Sequence, residues 1–184
     1  MGQIKRPLPV KLIVPMLSAH AELFDVAGQT LAARFGPPDF TSARMPFNHT
    51  QYYAEEFGAV LERGFVSFER LIDPGELAEV KVYTNELEAG WSAEGRRRIN
   101  LDPGYLSPGK LVLATTKDQA HRLYLGHGIY GEVTLAYRDK DFRPWPWTYP
   151  DYQSEPYLVV LREIRRIYMG QLRAQGWLQA GARS

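Results

Sequence analysis

The chain predicts an α+β fold: a ferredoxin-like βαββαβ core in a mainly antiparallel sheet, extended by a β-hairpin and a C-terminal helix. Three observations carry this. Apolar periodicity switches between two and 3.6 in the order β, α, β, β, α, β up to about residue 102. Residues 121–138 alternate on both sides of Gly126-His127-Gly128, as a hairpin does. Tyr157, Leu161, Ile164, Tyr168 and Leu172 then recur at helical spacing.

The elements follow in order. Residues 10–17 are dense in Val, Ile and Leu and read as a buried strand. Ser18 is placed to cap a helix whose inner face is Phe24, Ala27, Leu31 and Phe35. Gly36-Pro37-Pro38 stops it. Ala43, Met45 and Phe47 share one face of an alternating stretch over 40–47, and residues 65–71 form the next strand. Asp73, Pro74 and Glu76 make a capping-box start for a helix with Leu77, Val80, Leu87 and Trp91 inward. Strands follow at 98–102, 111–116, 121–125 and 129–138, with Asp102-Pro103-Gly104 as an ordinary turn after the first. A three-residue hairpin loop sets Leu123 opposite Gly131 and Arg122 opposite Glu132, apolar to apolar and charge to counter-charge. Residues 143–153 hold too much proline for regular structure, and Ser154 and Glu155 open the last helix. The whole is one domain, with residues 1–9 and 177–184 read as flexible tails.

Composition narrows the function. The 184 residues carry 45% hydrophobic and 23% charged side chains, as a globular domain does. A net charge of +1 gives no overall field toward nucleic acid or membrane, so anion binding must be local. With no cysteine, disulfides, thiolate metal sites and cysteine nucleophiles are excluded. No apolar run approaches a membrane span, and the cytoplasm is the expected location. Phosphate-loop, dinucleotide and nucleophile-elbow glycine patterns are missing.

One polar cluster stands out between Arg96 and Arg122. Ile99 and Leu101 share one strand face, which puts Arg98, Asn100 and Asp102 on the other. Arg96 joins them if the strand starts early, and Arg97 then points to the apolar side or precedes the strand. Guanidinium forks bind phosphate or carboxylate in a bidentate way, and Asn and Tyr add neutral hydrogen bonds. Thr115, Thr116 and Lys117 end a strand, where sheets place their sites. His121 is a general base or a half-buried strand residue, and Glu132 is the expected cross-strand partner of Arg122. His49, Glu55 and Glu56 have oxygen-and-nitrogen ligand chemistry and could join Asp102 or Asp151, but no tight pair supports a metal.

The segment GRRRINLDPGYLSPGKLVLATTKDQAHRLYLGHGIYGEVTL, followed by WTYPDY and preceded by FNHTQYYAEEFG, resembles the uncharacterised bacterial family known as domain of unknown function 4416. The resemblance implies a compact bacterial cytosolic protein and brings no established activity or catalytic residue. Some relatives carry a GTP-binding label, which the absent phosphate loop does not support.

Two readings follow. In the first, the protein binds or acts on an anionic small molecule, phosphorylated or nucleotide-like. Arg96, Arg98, Lys117 and Arg122 hold the anion, with Asn100, Thr116 and Glu132 beside them. Asp102 or His121 serves as acid/base. Tyr52, Tyr53 and Tyr105 close over the ligand. These groups must meet in one cleft, and Arg98 and His121 must share a face. In the second, Arg162, Arg165, Arg166 and Arg173 make an RNA- or protein-binding module with the aromatic loops. Self-association through a sheet edge is a third, structural option. The sequence names no cofactor and no metal.

Overall fold

A computed structural model describes residues 2–47 and 60–178. The expectations for His49, Tyr52, Tyr53, Glu55 and Glu56 lie outside the described residues.

The chain runs β1 (Val10–Ser18), α1 (Ala21–Phe35), β2 (Pro38–Thr41), β3 (Met45–Pro46), β4 (Glu62–Ile72), α2 (Leu77–Gly90), β5 (Ile99–Leu101), β6 (Gly104–Ser107), β7 (Lys110–Thr115), β8 (Arg122–Gly126), β9 (Ile129–Arg138), β10 (Asp141–Pro144) and α3 (Glu155–Ala174). All pairings are antiparallel, so the fold is α+β as expected. The neighbours β5-β1-β4-β2 are those the split βαβ requires. The sheet then continues from β1 through β6, β7 and β9 to β10, with β8 also on β9.

Two apolar layers hold the sheet. On one face Val10, Leu12, Val14 and Met16 pack with Phe24, Ala27, Leu31 and Phe35 of α1 and Val80 of α2. On the other, Ile13, Phe65, Leu111 and Leu135 pack with Tyr157, Leu161, Ile164, Tyr168 and Leu172 of α3. Burying one such side chain stabilises the fold by about 1.5–3 kcal/mol. The turn into α2 is the capping box read from the sequence: Asp73 accepts from Gly75 N, and Glu76 accepts from Asp73 N. A cap of this kind contributes about 1 kcal/mol.

Several local expectations need correction. Ser18 belongs to β1. It accepts from His20 N and donates to Arg98 O, while His20 occupies the helix N-cap. The Asp102-Pro103-Gly104 turn is instead a break between two strands. Gly104 starts β6 so close to β7 that a Cβ there would lie 2.3 Å from Val112 O. Only glycine permits that approach. Residues 141–144 form β10 despite Pro144, because an edge strand tolerates a missing donor. The hairpin keeps its register, Arg122 to Glu132 and Leu123 to Gly131. Its loop is shorter than expected. Gly126 pairs Ile129, His127 and Gly128 adopt positive φ of 54° and 74°, and an irregularity between Tyr124 and Gly126 absorbs the odd residue.

Candidate functional site

The site originates in the break at Pro103. Above it β6 joins β1 to β7, whereas below it β5 pairs, among the described residues, only with β1. The sheet opens between β5 and β7, and the free edge of β5 is covered by side chains of α2. Leu101 N donates to Glu88 Oε1 at 2.7 Å, and Lys81 Nζ donates to Leu101 O at 2.7 Å. Two side chains thus take the place of a neighbouring strand. Lys81, Thr84 and Glu88 form a buried polar stripe beside the apolar one.

The opening is a cleft of about 510 Å³. It is lined by Arg63 of β4, Lys81, Asn85 and Glu88 of α2, Asn100 and Asp102, the end of β7 through Lys117, and the 149–152 turn. Arg122 and Glu132 enter from the hairpin. Among the described residues, five cations (Arg63, Lys81, Arg97, Lys117, Arg122) face four carboxylates (Glu88, Asp102, Glu132, Asp151).

Arg63 organises the floor. Its side chain is 4% exposed. Nε donates to Tyr157 Oη at 3.1 Å, Nη1 donates to Asp102 Oδ2 at 3.1 Å, and Nη2 lies 3.6 Å from Asp151 Oδ2. The guanidinium also sits 5.2 Å from the Phe47 ring centroid. Asn100 Nδ2 donates to the same Asp102 oxygen at 2.7 Å, and Arg97 Nη1 donates to Asn100 Oδ1 at 3.2 Å and to Glu88 Oε2 at 3.4 Å. Breaking a buried pair leaves the other charge stranded in low dielectric, so these groups stand or fall together.

The two carboxyls nearest the β5 edge are driven apart. Burial acts to raise Asp102, but Lys81, Arg63 and Asn100 together outweigh it and hold the carboxyl below its usual range. Glu88 is raised, because burial exceeds the pull of Lys81, Leu101 N and Arg97. Burial also raises Tyr152, well above the ordinary phenol, and takes Tyr157 to about 12, so both stay protonated at neutral pH.

The expected site residues divide sharply. Asn100, Asp102, Thr116, Lys117, Arg122 and Glu132 meet in the cleft. Arg122 Nε binds Glu132 Oε2 at 2.9 Å, as read from the hairpin, and Nη1 donates to Lys117 O at 3.0 Å. Arg96, Arg98, Tyr105 and His121 do not line it. Arg98 precedes β5, outside strand alternation, and donates to Glu22 of α1 at 3.0 Å. Arg96 is exposed on the turn where Ala93 bridges it. Tyr105 is turned to the α1–α2 layer because it belongs to β6 rather than to a loop. His121 bonds Glu132 Oε2 at 3.0 Å and stacks on Trp147 at 5.1 Å, outside the cleft lining. The pocket that joined Arg98 to His121 is therefore not formed, and Arg97 stands where Arg98 was expected.

Sequence reasoning missed Arg63, Lys81 and Glu88. Lys81 and Glu88 had a signal, since seven residues is two helical turns and puts them on one face. Arg63 had none, because its partners come from distant segments.

The basic face of α3 is differently built. Arg162 binds Asp141 at 2.8 Å and Glu155 at 2.6 Å, and Arg166 binds Glu163 at 2.6 Å. Arg165 lies 3.4 Å from the Tyr137 ring centroid and donates to Pro108 O. Three of the arginines proposed for phosphate contacts are thus engaged within the chain.

Among the described residues, no cluster of three or more His, Asp or Glu side chains is arranged to hold a metal, and no helix is long and apolar enough to cross a membrane. No curated protein and no solved structure matches the chain. A family model matches residues 8–168, which include every strand and helix that builds the cleft. The chain belongs to the family described as domain of unknown function 4416.

Proposed function

We propose that the protein binds, in the bacterial cytoplasm, an anionic small molecule, phosphorylated or nucleotide-like, in the cleft between β5 and β7. One observation carries the reading. Asn100, Asp102, Thr116, Lys117, Arg122 and Glu132, singled out for their chemistry, line one concavity of about 510 Å³. Small-molecule sites span about 300–1,000 Å³ and combine apolar walls with a few convergent polar groups. Phe47, Leu113, Ala114 and Tyr149 supply such walls here. Among the described residues the lining cations number five and the carboxylates four, which favours an anion.

Asp102 is the acid/base of this reading. Held below the usual carboxylate range, it is ionised at neutral pH and accepts a proton or a hydrogen bond from the ligand. His121 loses that role because its ring is committed to Glu132 and Trp147.

A thermal-shift screen against nucleotides, sugar phosphates and small carboxylates tests the reading. A binder at one hundred times its dissociation constant adds about 2.7 kcal/mol of stability. Lys117→Ala abolishes the shift, whereas Arg98→Ala, outside the cleft, retains it. If no compound shifts the wild type, or if Arg98→Ala abolishes the shift and Lys117→Ala does not, the reading falls.

A further inference from the structure

Arg122 is a cation that the fold holds still and leaves partly unused. Its side chain is 4% exposed. Nε donates to Glu132 Oε2 at 2.9 Å, and Nη1 donates to Lys117 O at 3.0 Å. Nη2 makes no hydrogen bond among the described residues and keeps contact with solvent. The residue lines the cleft, so Nη2 is its open donor there. A guanidinium fixed at two nitrogens and open at the third loses little side-chain entropy when an oxyanion binds.

Glu132 links this cation to a group outside the cleft. It is 5% exposed, and its charged partners among the described residues are Arg122 and His121. Both use one oxygen: His121 Nε2 lies 3.0 Å and Arg122 Nε 2.9 Å from Oε2. A carboxylate only accepts, so Nε2 carries a hydrogen in that bond, and Nδ1 is the ring position where a proton comes and goes. Nδ1 has no partner among the described residues, and the side chain is 22% exposed, so solvent protons reach the ring. On its other side the ring stacks on Trp147, beyond which stand Trp145 and Arg138. That packing holds the imidazole against Glu132.

The charges then decide the outcome. With His121 neutral, Glu132 and Arg122 cancel. With His121 protonated, the trio carries one positive charge, and Glu132 is shared between two cations, so less of the Arg122 charge is offset. Histidine ordinarily changes charge between pH 5 and 8. Protonation therefore strengthens the pull of Nη2 on an anion as pH falls. Among the described residues, Arg63, Lys81, Arg97, Glu88, Asp102 and Asp151 line the same cleft. Glu88, raised by burial, is the competing source of such a response, since it too loses negative charge as pH falls.

We propose that Arg122 Nη2 is a seat for the anion, and that His121, outside the cleft, sets its strength as a pH-responsive positioning residue acting through Glu132. The inference rests on the cleft being the anion site proposed above, and it adds the seat and its regulation.

Calorimetric titration with sulfate tests it, because sulfate keeps its charge across this range whereas phosphate groups titrate within it. Sulfate is expected to bind about fivefold or more tightly at about pH 5.5 than at about pH 8, a typical coupling between two sites. Titrations in two buffers of different ionisation enthalpy are expected to show proton uptake on binding. His121→Gln, which keeps a donor for Glu132, and His121→Phe, which keeps the ring on Trp147, are each expected to flatten the pH profile and remove the uptake. Glu88→Gln is expected to retain both. Arg122→Lys, which keeps a cation against Glu132 but has no Nη2, is expected to weaken sulfate about tenfold. If the wild-type affinity ignores pH, if both His121 variants follow pH as the wild type does, or if Glu88→Gln alone flattens the profile, the role of His121 is overturned while the anion cleft stands. If Arg122→Lys binds sulfate as the wild type does, or if sulfate fails to bind while a nucleotide or sugar phosphate shifts the melting point, the Arg122 seat is overturned and the cleft stands. If no anion of any kind binds, both fall.

Discussion

The cleft and the outer face of α3 both carry arginines beside carboxylates, yet they are opposite constructions. In the cleft, Arg63 reaches partners 39 and 94 residues away in the sequence and is nearly sealed from water. On α3, Arg166 pairs with a residue 3 positions back, and its side chain is 71% exposed. One arrangement ties four segments of the fold to a single charge, and the other tidies a solvated surface. The number of arginines says little about binding. What their segments pack against decides whether they shape a cavity.

Replacing Arg63 tests the contrast most severely. Arg63→Ala strands Asp102 and Asp151 in the cleft floor and leaves the Tyr157 hydroxyl without its donor. Losing one partner of a buried pair costs about 3–5 kcal/mol. Denaturant unfolding, with the midpoint read at constant slope, checks it. A loss under about 1 kcal/mol would place Arg63 in the same category as a surface pair.

The second effect is on pH dependence. Asp102 is depressed in the folded state, so its contribution is present above the unfolded value of about 3.9. It is lost as pH falls through the lower folded value. Glu88 runs the other way. It is raised, so its contribution is present below the unfolded value of about 4.3 and is lost as pH rises through the folded one. Asp102→Asn should therefore flatten the acid limb of the stability profile, while Glu88→Gln gains on the wild type as pH rises. Parallel profiles for both variants and the wild type would mean that the two carboxyls share one environment.

The smallest effect belongs to α3. Arg162 binds Asp141 and Glu155 at a partly exposed site, where such pairs contribute about 0–1 kcal/mol. Arg162→Ala is expected within that range by thermal unfolding, and Arg166→Ala is expected to leave the midpoint unchanged. A large loss at either position would remove the distinction between the two regions.

The same contrast explains what could be read from the chain. Local rules found the Asp73 box, the inner face of α3 and the register of Arg122 on Glu132, because each depends on residues close in sequence. The α+β class followed from the alternation of elements, whereas the strand order needed the structure. The cleft was half legible. Asn100 and Asp102 were placed by strand alternation, and Thr116 and Lys117 by the end of a strand. Alternation failed one residue before β5 began, which exchanged the roles of Arg97 and Arg98. Lys81 was overlooked because charged residues on a helix are normally solvated, and here the bare edge of β5 draws it inward. Lys11 was missed for a related reason: within an apolar strand it pairs with Asp39 and donates to Phe68 O at 2.7 Å.

The most direct test is a map of amide shifts in the 15N-labelled protein during titration with the tightest-binding phosphate. The account predicts saturable shifts concentrated at Asn85, Asn100, Asp102, Thr116, Lys117 and Tyr152, with helix α3 beyond Arg162 unmoved. Shifts clustered on Arg162, Arg166 and Arg173, with the cleft amides silent, would contradict it.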